Sequence, residues 1–463
     1  MRSKNLNPVE LGTENIGQLL KRFAIPAIIA MTATSLYNIV DSIFIGHGVG
    51  ALGLSGLTVC FPLMNLNTAV GSLIGMGGST MLSVLLGKSD YKSSRSVLGN
   101  QLTLKVLVGI SFAVLCLLFL DPILYFFGAS ENTIGYARDY MSITLIGSTV
   151  THLYFGFNHS IRASGNPRLA MWLTIFTVIL NAAINPIFIF GLDMGVSGAA
   201  LATVISQLAA LILVFRYMYT SAPEFMRLRL KDIKIEWRLA KKMFAIGLSS
   251  FLINAAACIV SMLVNQQLLK YSGDLGIASY GIVNRTIFLV VMVNLGLSNG
   301  MQPIAGYNYG ARKYNRVLSA FWRTALCATI VSAIGTIFCE LSPKLAVNMY
   351  TTDEGLVQIA EKSLKIVGSS LFLVGFQIIA SNLFVSIGMV NKSIFLSISR
   401  QVIILIPLLY CLPLLWGENG IWFSFPISDL IAFIITIITV VPTVIKLKHL
   451  KEGDSPAILG SKL

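Results

Sequence analysis

The chain has 463 residues, 55% of them hydrophobic and only 12% charged, with a formal net charge of +14 and a mean hydropathy of +0.77. A water-soluble chain of this length would form two or three domains with roughly a quarter of its residues charged, so a soluble globular protein is excluded. The excess positive charge follows the turns, which argues against nucleic acid as a partner.

In chain order, residues 1–22 form a cytoplasmic N-terminal segment whose part "PVELGTENIGQLLKR" reads as amphipathic and suited to the inner membrane surface. The first apolar run begins after Lys21 and Arg22, is long enough to span and is followed by no small-residue cleavage site, so it is expected to remain in the mature chain. From Phe23 to Lys446, apolar runs recur about twelve times at roughly 20 residues each, which predicts an all-α membrane protein with twelve transmembrane helices. Basic residues crowd alternate turns: Lys88, Lys92 and Arg95, then Arg162 and Arg168, the stretch Arg216 to Lys242, Arg312 to Arg316, and Lys446 to Lys451. The intervening tips are nearly bare, which puts both termini in the cytoplasm. Six cysteines sit singly in apolar runs and suit neither a disulfide framework nor a metal site.

The second half repeats the first. "GALGLSGLTV" at Gly50 aligns with "GDLGIASYGI" at Gly273, and the same shift brings Gly77 to Gly300, Gly87 to Gly310 and Tyr91 to Tyr314. "SGAALATVISQL" at Ser197 aligns with "NGIWFSFPISDL" at Asn419. The expected architecture is therefore two six-helix bundles, 23–220 and 238–446, joined by a cytoplasmic linker at 221–237 and followed by a tail at 447–463. Six spans is an even number, so a pseudo-two-fold axis along the membrane normal relates the bundles, as in secondary transporters.

Spans one, five and six carry polar residues four apart, hence on one helix face: Tyr37 with Asp41, Asn181 with Asn185, and the Ala199 backbone with Thr203. Counted from the turn glycines Gly46, Gly191 and Gly195, Asp41, Asn185 and Ala199 lie roughly 6 to 9 Å below the outer surface at 1.5 Å per residue. A carboxylate, two amides, a hydroxyl and a backbone carbonyl at one level would form either a hard-oxygen sodium cage or a nest for a protonatable acid. Ionisable residues inside spans are rare and are functional by default, and an aspartate there costs roughly 2.5 to 3.5 kcal/mol on insertion. A captured proton or cation would offset that cost. Pro26, fifteen residues before Asp41, removes the bond to the Arg22 carbonyl and allows span one to kink.

Three stretches, "IRASGNPR" at Ile161, "GVSGAALATVISQ" at Gly195 and "QPIAGYNYGARKYNRV" at Gln302, resemble those of the MATE multidrug and toxic compound extrusion transporters, and the resemblance runs from about Gly17 to Lys446. It implies export of bulky cationic or amphipathic compounds in exchange for protons or sodium ions. It also assigns Asp41, Asn181, Asn185 and Thr203 to the ion site, with Asn158 and Tyr37 joining their network, and links Pro26 to bending of span one. An asparagine at position 185, where some members have an acid, leaves proton against sodium open. The seventh and tenth spans lack the acids of the NorM-like branch, so the chain resembles the DinF-like branch with one ion site in the first bundle.

Arg285 and Asp429 interrupt apolar spans of the second bundle; a structural partner is expected for the first, and Asp429 is a secondary proton-binding candidate. His152 and His159 lack a third ligand at helical spacing and read as hydrogen bonders. Met262, Tyr280, Asn284, Phe288, Phe376 and Gln377 are candidate cavity-lining residues, a soft, aromatic and amide mixture suited to promiscuous binding. No cofactor is expected beyond the coupling ion, because no phosphate-binding glycine loop with its lysine occurs. The reading is a monomeric multi-pass efflux antiporter of the cell membrane, in contact with lipid and small-molecule substrates. A lipid-linked sugar flippase is the alternative and should show several cavity arginines, where Arg285 alone is available. A membrane-embedded enzyme lacks a nucleophile and base set.

Overall fold

The computed structural model describes residues 10–49, 51–127, 129, 131–229, 233–349, 354–450, 452 and 454; for 36–43, 46–48, 51–55, 58, 269, 274, 275, 277, 278, 390 and 397 it describes the backbone alone. The described residues form helices and turns only. In chain order the helices are α1 (Glu10–Thr13), α2 (Ile16–Gly48), α3 (Ala51–Gly87), α4 (Tyr91–Leu118), α5 (Leu120–Phe126), α6 (Ile134–Ile146), α7 (Ser148–Ala163), α8 (Pro167–Pro186) and α9 (Gly195–Thr220). The second half holds α10 (Trp237–Gly310), α11 (Tyr314–Leu341), α12 (Pro343–Asn348), α13 (Glu354–Gly368), α14 (Leu371–Ser386), α15 (Val390–Ile398), α16 (Ile406–Trp416) and α17 (Glu418–His449).

Among the described residues, ten stretches of helix are long and apolar enough to cross a bilayer, α10 supplying two of them, Trp237–Leu268 and Ser279–Gly310, on either side of Gly273. Gly273 takes a φ of 61°, open to glycine at no steric cost. An eleventh span is the pair α13 and α14, bent by 50°. By the sequence repeat, α6 and α7, of 13 and 16 residues and joined at Gly147, are the counterparts of α13 and α14. The two helix pairs break at matching repeat positions, Gly147 and Ser369.

Each helix is inside out by the standards of a soluble protein. On α11 the outward face is Leu326, Ile330, Ile334, Ile337 and Leu341, all exposed, whereas the buried face is Ala320, Thr324, Ala328, Ser332, Gly335 and Cys339. In lipid the large apolar groups gain nothing by turning inward, so small and weakly polar residues take the contacts between helices. Local signals fix the turns. Asp90 caps α4 by accepting from the Ser93 backbone N–H at 3.0 Å. These hydrogen bonds to Ser93 hold the Asp90 carboxyl below its usual range. In "SGNP", Gly165 adopts a φ of 101°, Asn166 accepts from the Leu169 N–H at 3.2 Å, and Pro167 opens α8. Next to α5, Arg138 on α6 donates to both carboxylate oxygens of Asp121 at 2.8 and 2.7 Å, holding that acid low as well.

The chain packs as two compact units, one of Thr32–Asn254 with α1, the other of Glu14–Met31 with Ala255–Lys462. In the first unit, α3 meets the beginning of α10 backbone to backbone. A Cβ on Gly77 would stand 1.9 Å from the Met243 carbonyl oxygen, and one on Gly247 would stand 1.6 Å from that of Leu73. In the second unit, the later part of α10 meets the beginning of α2 in the same way: a Cβ on Gly300 would lie 2.5 Å from the Ala24 Cα and one on Gly296 2.6 Å from that of Ile28. The second contact has two glycines four apart on one helix and the first has one glycine on each helix, small residues that let membrane helices touch. Pro26 sits in this stretch of α2, and the helix runs through it.

Candidate ion-coupling site and associated networks

The predicted ladder between α8 and α9 is present. Asn185 and Asn181 are buried, and their side chains run in series: Asn185 Nδ2 donates to Asn181 Oδ1 at 3.0 Å and Asn181 Nδ2 donates to Thr203 Oγ1 at 3.3 Å. The Thr203 hydroxyl then donates to the Ala199 carbonyl at 3.1 Å. Spacing of four on each helix produces the run, and the π-helical turn Ile187–Gly191 after Pro186 carries the chain back toward α9. The set offers amide, hydroxyl and carbonyl oxygens at one level, the donor chemistry of a hard cation or a hydrogen-bonded acid. The side chains of Tyr37 and Asp41 lie outside the described residues.

Asn158 takes part in a second network farther along α8. Its Nδ2 donates to the Ala170 carbonyl at 2.9 Å and to Thr174 Oγ1 at 3.5 Å, and its Oδ1 accepts from Arg162 Nη2 at 3.4 Å. Tyr154 and Thr177 share a 3.0 Å hydroxyl contact between these levels. Thr174, Thr177, Asn181 and Asn185 recur every three or four residues, so α8 shows one polar face to its neighbours. Arg162 is 4% exposed, and no carboxylate contacts its guanidinium among the described residues.

Lys105 on α4 belongs to none of the motifs singled out in the sequence. Its side chain is fully buried and its Nζ donates to the His152 carbonyl at 2.7 Å. Two glycines make the slot: a Cβ on Gly75 would lie 3.4 Å from Nζ, and one on Gly156 only 1.0 Å. Alongside, His152 Nε2 meets Asn67 Oδ1 at 2.9 Å, while Gln101 donates to the Gly75 carbonyl at 3.2 Å and accepts from Ser160 at 2.8 Å. The rule applied to Asp41, that an ionisable group inside an apolar span needs a reason, would have found Lys105 in "NQLTLKVLVG". Gly156→Ala is expected to evict the ammonium and lower stability by about 1.5 to 3 kcal/mol, the scale of a hydrogen bond to a charged group. In Lys105→Met the same glycine substitution should cost much less, and a double-mutant cycle by thermal unfolding in detergent reads the difference.

In the second unit the predicted cavity residues fall into separate groups. Tyr280 packs between Trp422 and Phe425, with ring centroids at 6.5 and 6.2 Å. Phe376 meets Phe321 and Phe433 edge-on at 6.1 and 5.6 Å. Gln377 Nε2 donates to the Asp429 carbonyl at 2.8 Å. Met262, Asn284, Arg285 and Phe288 are exposed. Asp429 pairs with Arg400, whose Nη1 lies 3.0 Å from Oδ1, and accepts from the Ser370 hydroxyl at 2.8 Å through Oδ2.

The profile of the MatE family matches residues 26–187 and 245–411, well over half of the chain and both sequence repeats. The chain belongs to the MatE family. Among its relatives, the multidrug export protein MepA of Staphylococcus haemolyticus (strain JCSC1435) is 29% identical over 422 residues, covering 90% of this chain and 91% of the relative. MepA of Staphylococcus aureus (strain MRSA252) is 27% identical over 410 residues, 89% and 90% of the two chains. The MATE multidrug transporter DinF-BH, solved in complex with a ligand, is 35% identical with a TM-score of 0.89, over 97% of this chain and 100% of its own. A multidrug resistance MATE transporter of the MOP superfamily, solved outward-facing, shares the fold with a TM-score of 0.90 at 23% identity over 97% of this chain and 100% of that one. The DinF-like resemblance drawn from the acid-free seventh and tenth spans agrees with the first of these structures. As a MatE protein the chain is a multi-pass membrane transporter and not an enzyme.

Proposed function

We propose that this MatE protein exports bulky cationic or amphipathic small molecules across the cell membrane, as a monomer with both termini cytoplasmic, in exchange for protons or sodium ions. The observation that carries this reading is the buried hydrogen-bonded series Asn185, Asn181, Thr203 and the Ala199 carbonyl. Buried polar groups in lipid are retained where something uses them, and Asp41 supplies by sequence depth the acid that such a series would serve. Ion uptake at Asp41 from outside neutralises a buried charge and favours the form that releases drug; ion release to the cytoplasm restores the form that loads it. The names of the MepA relatives and the ligand complex of the DinF-BH multidrug transporter support the substrate class.

The test is the purified protein in liposomes, loaded with a fluorescent organic cation and given a pH gradient or a sodium gradient separately. One of the two gradients is expected to drive transport. Failure of both, with the protein folded, would refute ion-coupled export.

A further inference from the structure

We propose that Asp429 is the counter-ion for a hydrophobic organic monocation in the second unit, and that Arg400 is a resident stand-in for that cation. The proposal rests on the substrate class given above and assigns it a site.

Three helical segments build the pair. Arg400 lies in the π-helical turn Ser399–Leu405, and its carbonyl accepts from the Ser428 hydroxyl at 3.0 Å, which pins that turn to α17. The Asp429 carbonyl accepts from Gln377 on α14, and its carboxylate takes Arg400 and Ser370 on separate oxygens. The backbones on either side of the ion pair are thus fixed by neutral hydrogen bonds, and the charges are additional to them. The repeat makes the same point. The position of Asp429 is occupied in the first unit by Gln207, which accepts from Thr151 on α7, so an equivalent helix contact is held without any charge. Packing therefore does not explain why an acid and a guanidinium stand in the second unit, where a desolvated pair is a poor source of stability.

The surroundings suit an organic cation. Phe433 lies one turn beyond Asp429 on α17 and meets Phe376, which in turn meets Phe321. Aromatic faces attract hydrophobic cations and accept many shapes. The acid is largely sheltered, with 13% of its side chain exposed, while the arginine is 33% exposed. A long, partly exposed arginine can swing its head toward a wetter position while its stem stays in apolar surroundings. An arriving cation then takes its place on Asp429, and no buried charge is left alone.

This exchange predicts effects of opposite sign. Equilibrium binding of tetraphenylphosphonium, with neutral triphenylphosphine oxide as control, is measured on the purified full chain without any ion gradient, so the result does not depend on coupling at Asp41. Arg400→Gln is expected to tighten tetraphenylphosphonium binding about tenfold, and Asp429→Asn to weaken it about tenfold, the scale of one charge-assisted hydrogen bond. The neutral probe should not follow either change. If both substitutions weaken the cation, or neither alters it, or the neutral probe follows, the pair is a structural brace and the proposal fails. Should a single variant not fold, the double variant Asp429→Asn with Arg400→Gln leaves no buried charge. It is expected to lose the preference for the cation over the neutral probe, and retention of the wild-type preference overturns the assignment.

Discussion

Asp41→Asn is expected to reduce gradient-driven export to the level of protein-free liposomes, with the folded fraction unchanged or raised. The amide has nearly the shape of the acid and can hydrogen-bond as it does, so packing should survive. What it cannot do is bind a proton at physiological pH or neutralise a sodium ion. The stability expectation follows from magnitude: an aspartate in the bilayer core costs roughly 2.5 to 3.5 kcal/mol on insertion scales, and asparagine avoids that cost. The ladder residues Asn181, Asn185 and Thr203 hydrogen-bond to one another and to Ala199, and those bonds are neutral in the mutant as in the wild type. The measurement is drug flux under the driving gradient, with thermal unfolding alongside. Wild-type flux in the mutant would remove Asp41 from the mechanism, and a low unfolding temperature would make the acid a structural residue.

Gly247→Leu is expected to prevent folding of the first unit. Even the Cβ of an alanine at this position would stand 1.6 Å from the Leu73 carbonyl oxygen, and the obstruction is backbone on a neighbouring helix, which cannot rotate away. The reciprocal contact of Gly77 with Met243 lies one helical turn along, so parting the helices at one point opens the other. Overpacking of an ordinary core costs about 1 to 3 kcal/mol; a leucine forced between two backbones should exceed that and approach the roughly 5 to 15 kcal/mol by which whole domains are stable. Gly135→Leu is the matched control, because a Cβ there meets nothing within 4 Å. Size-exclusion chromatography of detergent extracts reads the outcome: the control should run as one symmetrical peak, and Gly247→Leu should aggregate. A well-folded Gly247→Leu protein would mean that the helices part at little cost.

The ladder was legible because helical periodicity and depth below a turn are both countable in a sequence. Asn181 and Asn185 four apart, and Ala199 and Thr203 four apart, must share faces, and their distances from Gly191 and Gly195 set a common level. Asn158 joins that network only by resemblance, with no countable depth behind it, and its hydrogen bonds go to Ala170 and Thr174, two or more turns from Asn181. The repeat also carried real information. It matched Gly77 with Gly300, and each proves to be a point where two helix backbones touch. Which helix each glycine touches could not be read, since glycine records that something is close and not what it is. Lys105 and Arg400 leave little trace in the sequence for a related reason: long aliphatic stems let cationic heads hide in apolar runs, and their partners, the His152 carbonyl and Asp429, lie 47 and 29 residues away.

The slot that holds Lys105 sets a problem in time. Helix α4 leaves the ribosome before the carbonyl of His152, 47 residues later, has been made. At about 5 to 20 residues per second, several seconds separate the two. During that interval the ammonium has no acceptor from α7 and the hydrocarbon offers none, so α4 has reason to wait at the translocon, or to ride high with its cation at the headgroups, until α7 arrives. Nascent-chain pulling force should then show a delayed release for α4, and Lys105→Met should bring it forward.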